Sequence, residues 1–127
     1  MAGSLPTQND FNVEISGDDR ATVLTVTGEL DLATSPALEA QLERASSGPD
    51  LVILDLRGVS FMDSTGLSLL VKAQRRAQES QRQLAVVRGG AQVQRLLTLT
   101  GVGERLTLID EPEQLANPDG ARPGSTQ

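Results

Sequence analysis

The chain has 127 residues, a length that suits one domain with a substantial core, and its formal net charge is -6 at pH 7. This acidic balance disfavours DNA or RNA as a direct partner, because neutralising phosphates requires clustered Lys and Arg. The sequence contains no Cys, His, Trp or Tyr, which excludes disulfides, Cys/His metal sites and catalysis by a thiolate or an imidazole.

The N-terminal segment shows no targeting signal. The first ten residues carry neither the basic stretch nor the apolar stretch of a secretory signal. No apolar run in the chain approaches the length of a membrane span. We therefore expect a cytoplasmic protein that has no membrane as a partner, with a flexible N-terminus over residues 1–10.

Two strands are predicted next. Apolar and polar residues alternate over residues 11–16, the pattern of a half-buried strand. Turn residues follow at 17–20, and residues 21–27 are rich in β-branched side chains, so the two strands should form an N-terminal β-hairpin. The motif Gly28-Glu29-Leu30-Asp31 then leads the chain out of the second strand.

A helix and a buried strand follow the hairpin. The pair Ser35-Pro36 predicts a helix start with Ser35 as its N-cap. The apolar run over residues 51–54 predicts a strand over 51–56 that is buried on both faces, as in parallel sheets flanked by helices. Arg57-Gly58 is predicted to turn the chain after that strand.

The polar stretch between this strand and the next amphipathic helix is the most informative part of the chain. Ser64 is predicted at the start of the helix, with an exposed hydroxyl near the free N–H groups of the first turn, a good place for a phosphorylation switch. Asp63 is either an N-cap alone or an N-cap that also takes part in recognition. Thr65 is predicted to be a first-turn residue rather than a second phosphorylation site. Gly66 fits either close packing or the approach of a partner's backbone.

The remaining pattern completes one α/β domain. We predict a short strand at 84–87, a third helix that ends at Gly101 as a C′ glycine, a last strand at 106–109 and at most a short helix at 111–115. The fold class is a single α/β domain over residues 11–116: the hairpin, then βαβαβα units, in a mixed, mostly parallel sheet with flanking helices. Residues 117–127 carry no large apolar side chain and are predicted to be a disordered tail.

The acidic residues raise the question of a metal site. Glu29 and Asp31 should share a rim of the sheet with Ser64 if their strands are parallel neighbours. Asp55 is predicted to bond to backbone or to a neighbouring side chain, so a cation site built from Asp31, Asp55 and Asp63 is disfavoured. The pair Gly89-Gly90 lacks the Lys and the spacing of a phosphate-binding loop. We therefore expect no catalytic residues, no metal and no cofactor.

One alternative is a receiver domain, in which an Asp at a strand end accepts phosphate from a histidine kinase. The segment around Asp55 and Asp63 is similar to that arrangement. However, the acidic pair Asp18-Asp19 lies inside a hairpin turn, and Ile109 is followed by acidic residues instead of the required Lys. The receiver interpretation is therefore disfavoured.

Three motifs in order resemble the STAS domain family, named for sulphate transporters and anti-sigma factor antagonists. Gly28-Glu29-Leu30-Asp31 resembles the turn after that family's second strand, and Gly101-Val102 resembles the exit of its third helix. The segment Ser60-Phe61-Met62-Asp63-Ser64-Thr65-Gly66-Leu67 resembles the phosphorylation loop of that family. The resemblance covers about residues 11–115.

The resemblance implies a bacterial anti-sigma factor antagonist, also called an anti-anti-sigma factor, that is not an enzyme. In that family the unphosphorylated antagonist binds an anti-sigma factor that is also a serine/threonine kinase, which frees the sigma factor. The kinase uses ATP to phosphorylate the serine after the motif Asp, and a metal-dependent phosphatase restores it. Carried over, the phosphorylated residue is Ser64, and the partner-binding residues are Glu29, Asp31, Asp63, Ser64, Thr65 and Gly66.

The resemblance also leaves alternatives open. A non-switching STAS scaffold or a subunit of a transport complex would use the same surface for a constitutive partner. A weak enzyme or a nucleotide binder has less support in the sequence. For the antagonist we expect a monomer that regulates transcription without contacting nucleic acid itself.

Overall fold

The structure, a computed structural model, describes residues 11–113, and its element order is the predicted alternation of strands and helices. The elements are β1 Asn12–Gly17, β2 Ala21–Leu30, α1 Ser35–Ala45, β3 Leu51–Met62, α2 Ser64–Glu79, β4 Gln83–Val87, α3 Ala91–Thr100, a 3-10 helix Val102–Arg105 and β5 Thr107–Ile109. The α/β fold class is therefore confirmed.

The sheet contains five strands in the order β1-β2-β3-β4-β5. β1 pairs with β2 in antiparallel orientation, as predicted for the hairpin, and the other three pairings are parallel. The buried apolar side chains of α1, α2 and α3 all belong to one cluster with one face of the sheet. Right-handed crossovers between neighbouring strands place successive helices on the same face in this way.

The core has two parts, one on each face of the sheet. The large cluster lies under the helices, and the second cluster lies on the opposite face and contains Ala21, Ile53, Ala85, Val87 and Ile109. β3 serves both, because alternate residues of a strand point to opposite faces: Val52 and Leu54 enter the helix-side cluster while Ile53 enters the other. This double burial confirms the prediction made from the unbroken apolar run.

The prediction that Arg57-Gly58 turns the chain is wrong. β3 continues through these residues to Met62, and its register with β2 shifts twice, between Thr25 and Thr27 and between Gly28 and Glu29. A Cβ atom on Gly58 would lie 2.7 Å from Thr27 Cγ2, so the glycine permits a close approach of two strands. A glycine at a strand irregularity and a glycine at a turn give the same sequence signal.

The start of α1 also differs from the prediction. Thr34 is the N-cap, Ser35 is the first helical residue and Pro36 is the second. The proline still occupies the first turn, where its missing N–H costs nothing. At the end of α3, Gly101 has the expected left-handed conformation, with φ 77°.

Some predictions concern residues that the structure does not describe. The flexible N-terminus over 1–10, the disordered tail over 117–127 and the end of the helix predicted at 111–115 lie outside the described residues. No helix in the described part of the chain has both the length and the apolar character that a membrane crossing requires.

Replacing Ile53 by Asp should prevent folding at neutral pH. Ile53 is 0% exposed, so the substitution would place a carboxylate among apolar side chains. The cost, on the order of 5 kcal/mol, is comparable with the total stability of a small domain. Circular dichroism and thermal unfolding measure the effect. Ile15→Asp is the matched control, because Ile15 is 53% exposed on the edge strand β1 and that variant should fold. A cooperatively melting Ile53→Asp protein would contradict the second core cluster.

Candidate functional site

The carboxyl ends of the parallel strands define one edge of the sheet. The carboxyl rim consists of the last residues of β2 and β3 with the segments after them, residues 28–34 and 60–66, and the segment after β4, residues 88–92. The register brings the first two segments together, because Leu30 pairs with Met62 and the Asp63 N–H donates to the Leu30 carbonyl oxygen at 3.2 Å. Ligand-contacting residues of α/β sheets commonly lie at this edge.

Ser64 is the first residue of α2 and is exposed. The N-cap before it is Asp63, whose Oδ1 accepts from the Thr65 N–H at 2.9 Å and from the Gly66 N–H at 3.2 Å. In the region that the structure describes, no hydrogen bond holds the Ser64 hydroxyl. The hydroxyl is thus accessible at the positive end of a helix whose first turn is fixed by a carboxylate.

The neighbours of Ser64 have clear structural roles. Asp63 caps α2, one of the two roles predicted for it, and Thr65 is half-buried in the first helical turn. Gly66 is buried, and a Cβ atom there would lie 2.9 Å from Leu30 Cγ and 3.0 Å from the Leu30 carbonyl oxygen. Close packing of α2 on the end of β2 therefore accounts for the glycine. Contacts of these residues with a partner remain predictions.

Glu29 and Asp31 lie on the same rim as Ser64. Glu29 pairs with Phe61 in the β2–β3 register, next to the pair that lies beneath α2. Asp31 shapes the loop before α1, because its Oδ1 accepts from the N–H groups of Ala33 at 3.1 Å and Thr34 at 3.2 Å. Glu29 and Asp31 therefore lie on the same rim as the start of α2, as predicted from the sequence.

Asp55 takes no part in this rim. Its side chain is 6% exposed, and Arg57 holds it through Nε at 3.0 Å, Nη2 at 2.8 Å and the backbone N–H at 3.0 Å. Burial alone would raise the pKa of Asp55, but the hydrogen bonds from Arg57 outweigh burial and lower the pKa below its ordinary value. Asp55 thus bonds both to backbone and to a side chain, as predicted. Within residues 11–113, no group of three acidic side chains is arranged to hold a metal ion.

Sequence reasoning missed three residues of the rim. Leu32 is 73% exposed in the loop after β2, and Phe61 is 41% exposed near the end of β3. Both are large apolar residues within polar segments, a signal that was available. Gln92, in the first turn of α3, accepts from the Met62 N–H at 2.8 Å and donates to the Met62 carbonyl oxygen at 2.9 Å. No sequence signal points to that contact across 30 residues.

The glycines before α3 have a packing role. A Cβ atom on Gly89 would lie 3.0 Å from the Leu56 carbonyl oxygen, so this residue lets the chain pass close to β3. Gly90 is the N-cap of α3 and provides no side-chain hydrogen bond.

Comparison with known proteins gives one consistent family. The STAS domain model matches residues 12–115. The chain is 32% identical over 105 residues to the anti-sigma-B factor antagonist of Staphylococcus aureus, covering 82% of this chain and 97% of that protein. It is 29% identical over 102 residues to the anti-sigma-F factor antagonist RsfB of Mycobacterium tuberculosis, covering 80% and 83%.

The fold is also similar to that of a solved structure. An anti-sigma factor antagonist from Mycobacterium paratuberculosis superimposes with a TM-score of 0.77 and 26% sequence identity, covering 87% of this chain and 94% of that one.

Arg57→Ala should destabilise the domain at neutral pH by about 1–2 kcal/mol, because it leaves the Asp55 carboxylate buried without its guanidinium. The Asp55 pKa is lowered in the folded state. Its stabilising contribution is therefore present above the unfolded pKa of about 3.9 and is lost as the pH falls through the lower folded value. Urea unfolding between pH 3 and pH 7 would measure both effects.

The matched control is Arg20→Ala. Arg20 also pairs with an aspartate two residues away, Asp18, but both side chains are more than half exposed. No measurable change in stability is expected for this control. An Arg57→Ala protein as stable as the Arg20→Ala protein at pH 7 would contradict the structural role given to the buried pair.

Proposed function

This chain belongs to the STAS domain family and, within it, to the anti-sigma factor antagonists, which are regulatory binding proteins and not enzymes; we propose that it is switched by phosphorylation of Ser64. Unphosphorylated, it binds an anti-sigma factor that is also a serine/threonine kinase and so releases a sigma factor for transcription. When it is phosphorylated, it releases the anti-sigma factor. It acts in the cytoplasm as a monomer, without contacting nucleic acid.

The observation that carries this proposal is the exposed hydroxyl of Ser64 at the capped start of α2, which makes no hydrogen bond within residues 11–113. A kinase must reach the serine oxygen with the γ-phosphoryl group of ATP, which forms the phosphate ester and releases ADP and a proton. A metal-dependent phosphatase hydrolyses the ester and returns serine and inorganic phosphate. Both reactions need an accessible side chain on a defined backbone, and Ser64 meets both requirements.

The position of Ser64 also favours the switch over a constitutive scaffold or transport subunit. A phosphate ester adds roughly -1.5 to -2 charges at neutral pH. The N-terminal end of α2 accommodates negative charge, so the domain stays folded. The same charge lies next to Asp63 and on a rim with Glu29 and Asp31, within a surface shaped for a small hydroxyl. A docked partner would have to bury these like charges together, so phosphorylation weakens binding.

Ser64→Ala should bind the anti-sigma kinase like the wild type and resist inactivation by kinase and ATP. Ser64→Asp should fold normally and bind more weakly by a few kcal/mol, mostly through faster dissociation. Surface plasmon resonance measures the rates, and mass spectrometry after incubation with kinase and ATP identifies the modified residue. Ser68→Asp is the matched control, since Ser68 is also exposed on α2 but lies one turn beyond the rim.

Two results would contradict the proposed phosphorylation switch at Ser64. One is modification of Thr65 or Ser68 while Ser64 remains untouched. The other is a Ser64→Asp protein that binds as tightly as the wild type.

The exposed leucine of the rim provides a second test of where the partner binds. Leu32→Ala should weaken binding of the unphosphorylated protein by about 1 kcal/mol. The Leu32 side chain is 73% exposed in the free protein, and a partner docked on the rim would bury it. Leu99→Ala is the matched control: Leu99 is 76% exposed but lies about 12 Å along α3 from its rim end. Equal affinities of the two variants in isothermal titration calorimetry would argue against the carboxyl rim as the interface.

A further inference from the structure

The last part of β3 extends beyond its neighbour β4. The β3–β4 pairing ends at Asp55 and Val87, whereas β3 continues to Met62 beside β2. Among the strands of residues 11–113, backbone groups on the β4 side of this extension therefore have no strand partner. Gln92 supplies one at Met62, where its carboxamide oxygen accepts from the backbone N–H at 2.8 Å and its carboxamide nitrogen donates to the carbonyl oxygen at 2.9 Å. This is the pair of bonds that a neighbouring strand would make.

The carboxamide is carried by a rigid element. Gly89 brings the chain against β3 before α3 begins at Ala91. Val93 and Leu97 then anchor α3 in the core, each 1% exposed. Gln92 lies in the first helical turn between these anchors and the glycine, so packing of α3 determines where its side chain meets β3.

We propose that Gln92 is a positioning residue for Ser64. It holds the backbone of Met62, the residue before the N-cap Asp63, from the α3 side. Leu30 holds Asp63 from the β2 side, through the bond between the Asp63 N–H and the Leu30 carbonyl oxygen. The segment from Met62 to Ser64 is thus fixed from both sides, and the Ser64 hydroxyl is presented on an ordered backbone. The functional part of this inference rests on the proposed kinase switch, whereas the ordering of the segment does not.

Gln92→Met separates the hydrogen bonds from packing, because methionine has similar length and no amide. Hydrogen exchange followed by NMR should show the Met62 amide exchanging about tenfold faster than in the wild type, while the amide of Leu54 in the sheet centre is unchanged. Gln92→Glu keeps the acceptor for the Met62 N–H and loses only the donor to the Met62 carbonyl oxygen, so at neutral pH its Met62 amide should exchange more slowly than that of Gln92→Met. Gln78→Ala is the control, since Gln78 is an exposed helical glutamine whose side chain makes no hydrogen bond within residues 11–113.

The kinetic arm uses the anti-sigma kinase and ATP. Gln92→Met should lower kcat for phosphorylation of Ser64 about tenfold, because the hydroxyl is less well oriented, and should change KM by a smaller factor, because the other residues of the carboxyl rim are unaltered. A melting temperature close to that of the wild type would show that the loss is not one of folding. Unchanged exchange at Met62, or faster exchange with unchanged kcat, overturns the positioning role.

The two arms keep this inference distinct from the proposed function. If the kinase does not phosphorylate wild-type Ser64, the proposed switch fails. The exchange result at Met62 then decides alone whether Gln92 orders the segment.

Discussion

The parallel pairing of β2 with β3 is the constraint on which the rest of the structure depends. The pairing begins at Ala21 and Leu51 and ends at Leu30 and Met62, so both strands reach the same edge of the sheet. Burial of alternate β3 residues in two apolar clusters prevents a slip of register, because a shift by one residue would exchange the two faces. The position of Ser64 relative to the β2 loop is therefore fixed by the core and not by the loop itself.

The capping of α2 explains how one end of a helix can serve both the fold and the proposed switch. Asp63 already accepts from the N–H groups of Thr65 and Gly66, so the first turn does not depend on a phosphate for its hydrogen bonds. A phosphate on Ser64 would find these donors occupied and would remain directed toward solvent. The modification therefore changes the surface seen by a partner more than it changes the helix.

The sequence predicts those features that depend on local residues or on a periodic pattern. The buried run of β3, the start of α2 at Ser64 and the left-handed Gly101 belong to this class. The continuation of β3 past Gly58 does not, because it depends on the distance to Thr27 on another strand. The bond from Gln92 to Met62 likewise depends on where α3 packs, which no local pattern encodes. The prediction at Gly58 failed because a tertiary contact decides between two roles that glycine can have, a turn residue or a close-packing residue in a strand.

Charge at the rim bears on how the proposed phosphorylation of Ser64 would weaken binding. Glu39 and Glu43 on α1 pair with Lys72 and Arg76 of α2, whereas the rim carboxylates form no ion pair within residues 11–113. These rim carboxylates are Glu29, Asp31 and Asp63. An uncompensated acidic rim favours a basic partner surface, and long-range attraction to such a surface would increase with an added phosphate.

Weaker binding must therefore arise at contact. When a partner excludes water, the repulsion between the phosphate and the adjacent Asp63 grows because the local dielectric falls, and each charge also loses its hydration. A basic partner surface shaped for a hydroxyl cannot offset both costs. The proposed effect of phosphorylation therefore lies in a faster dissociation rate, and the encounter rate should not decrease.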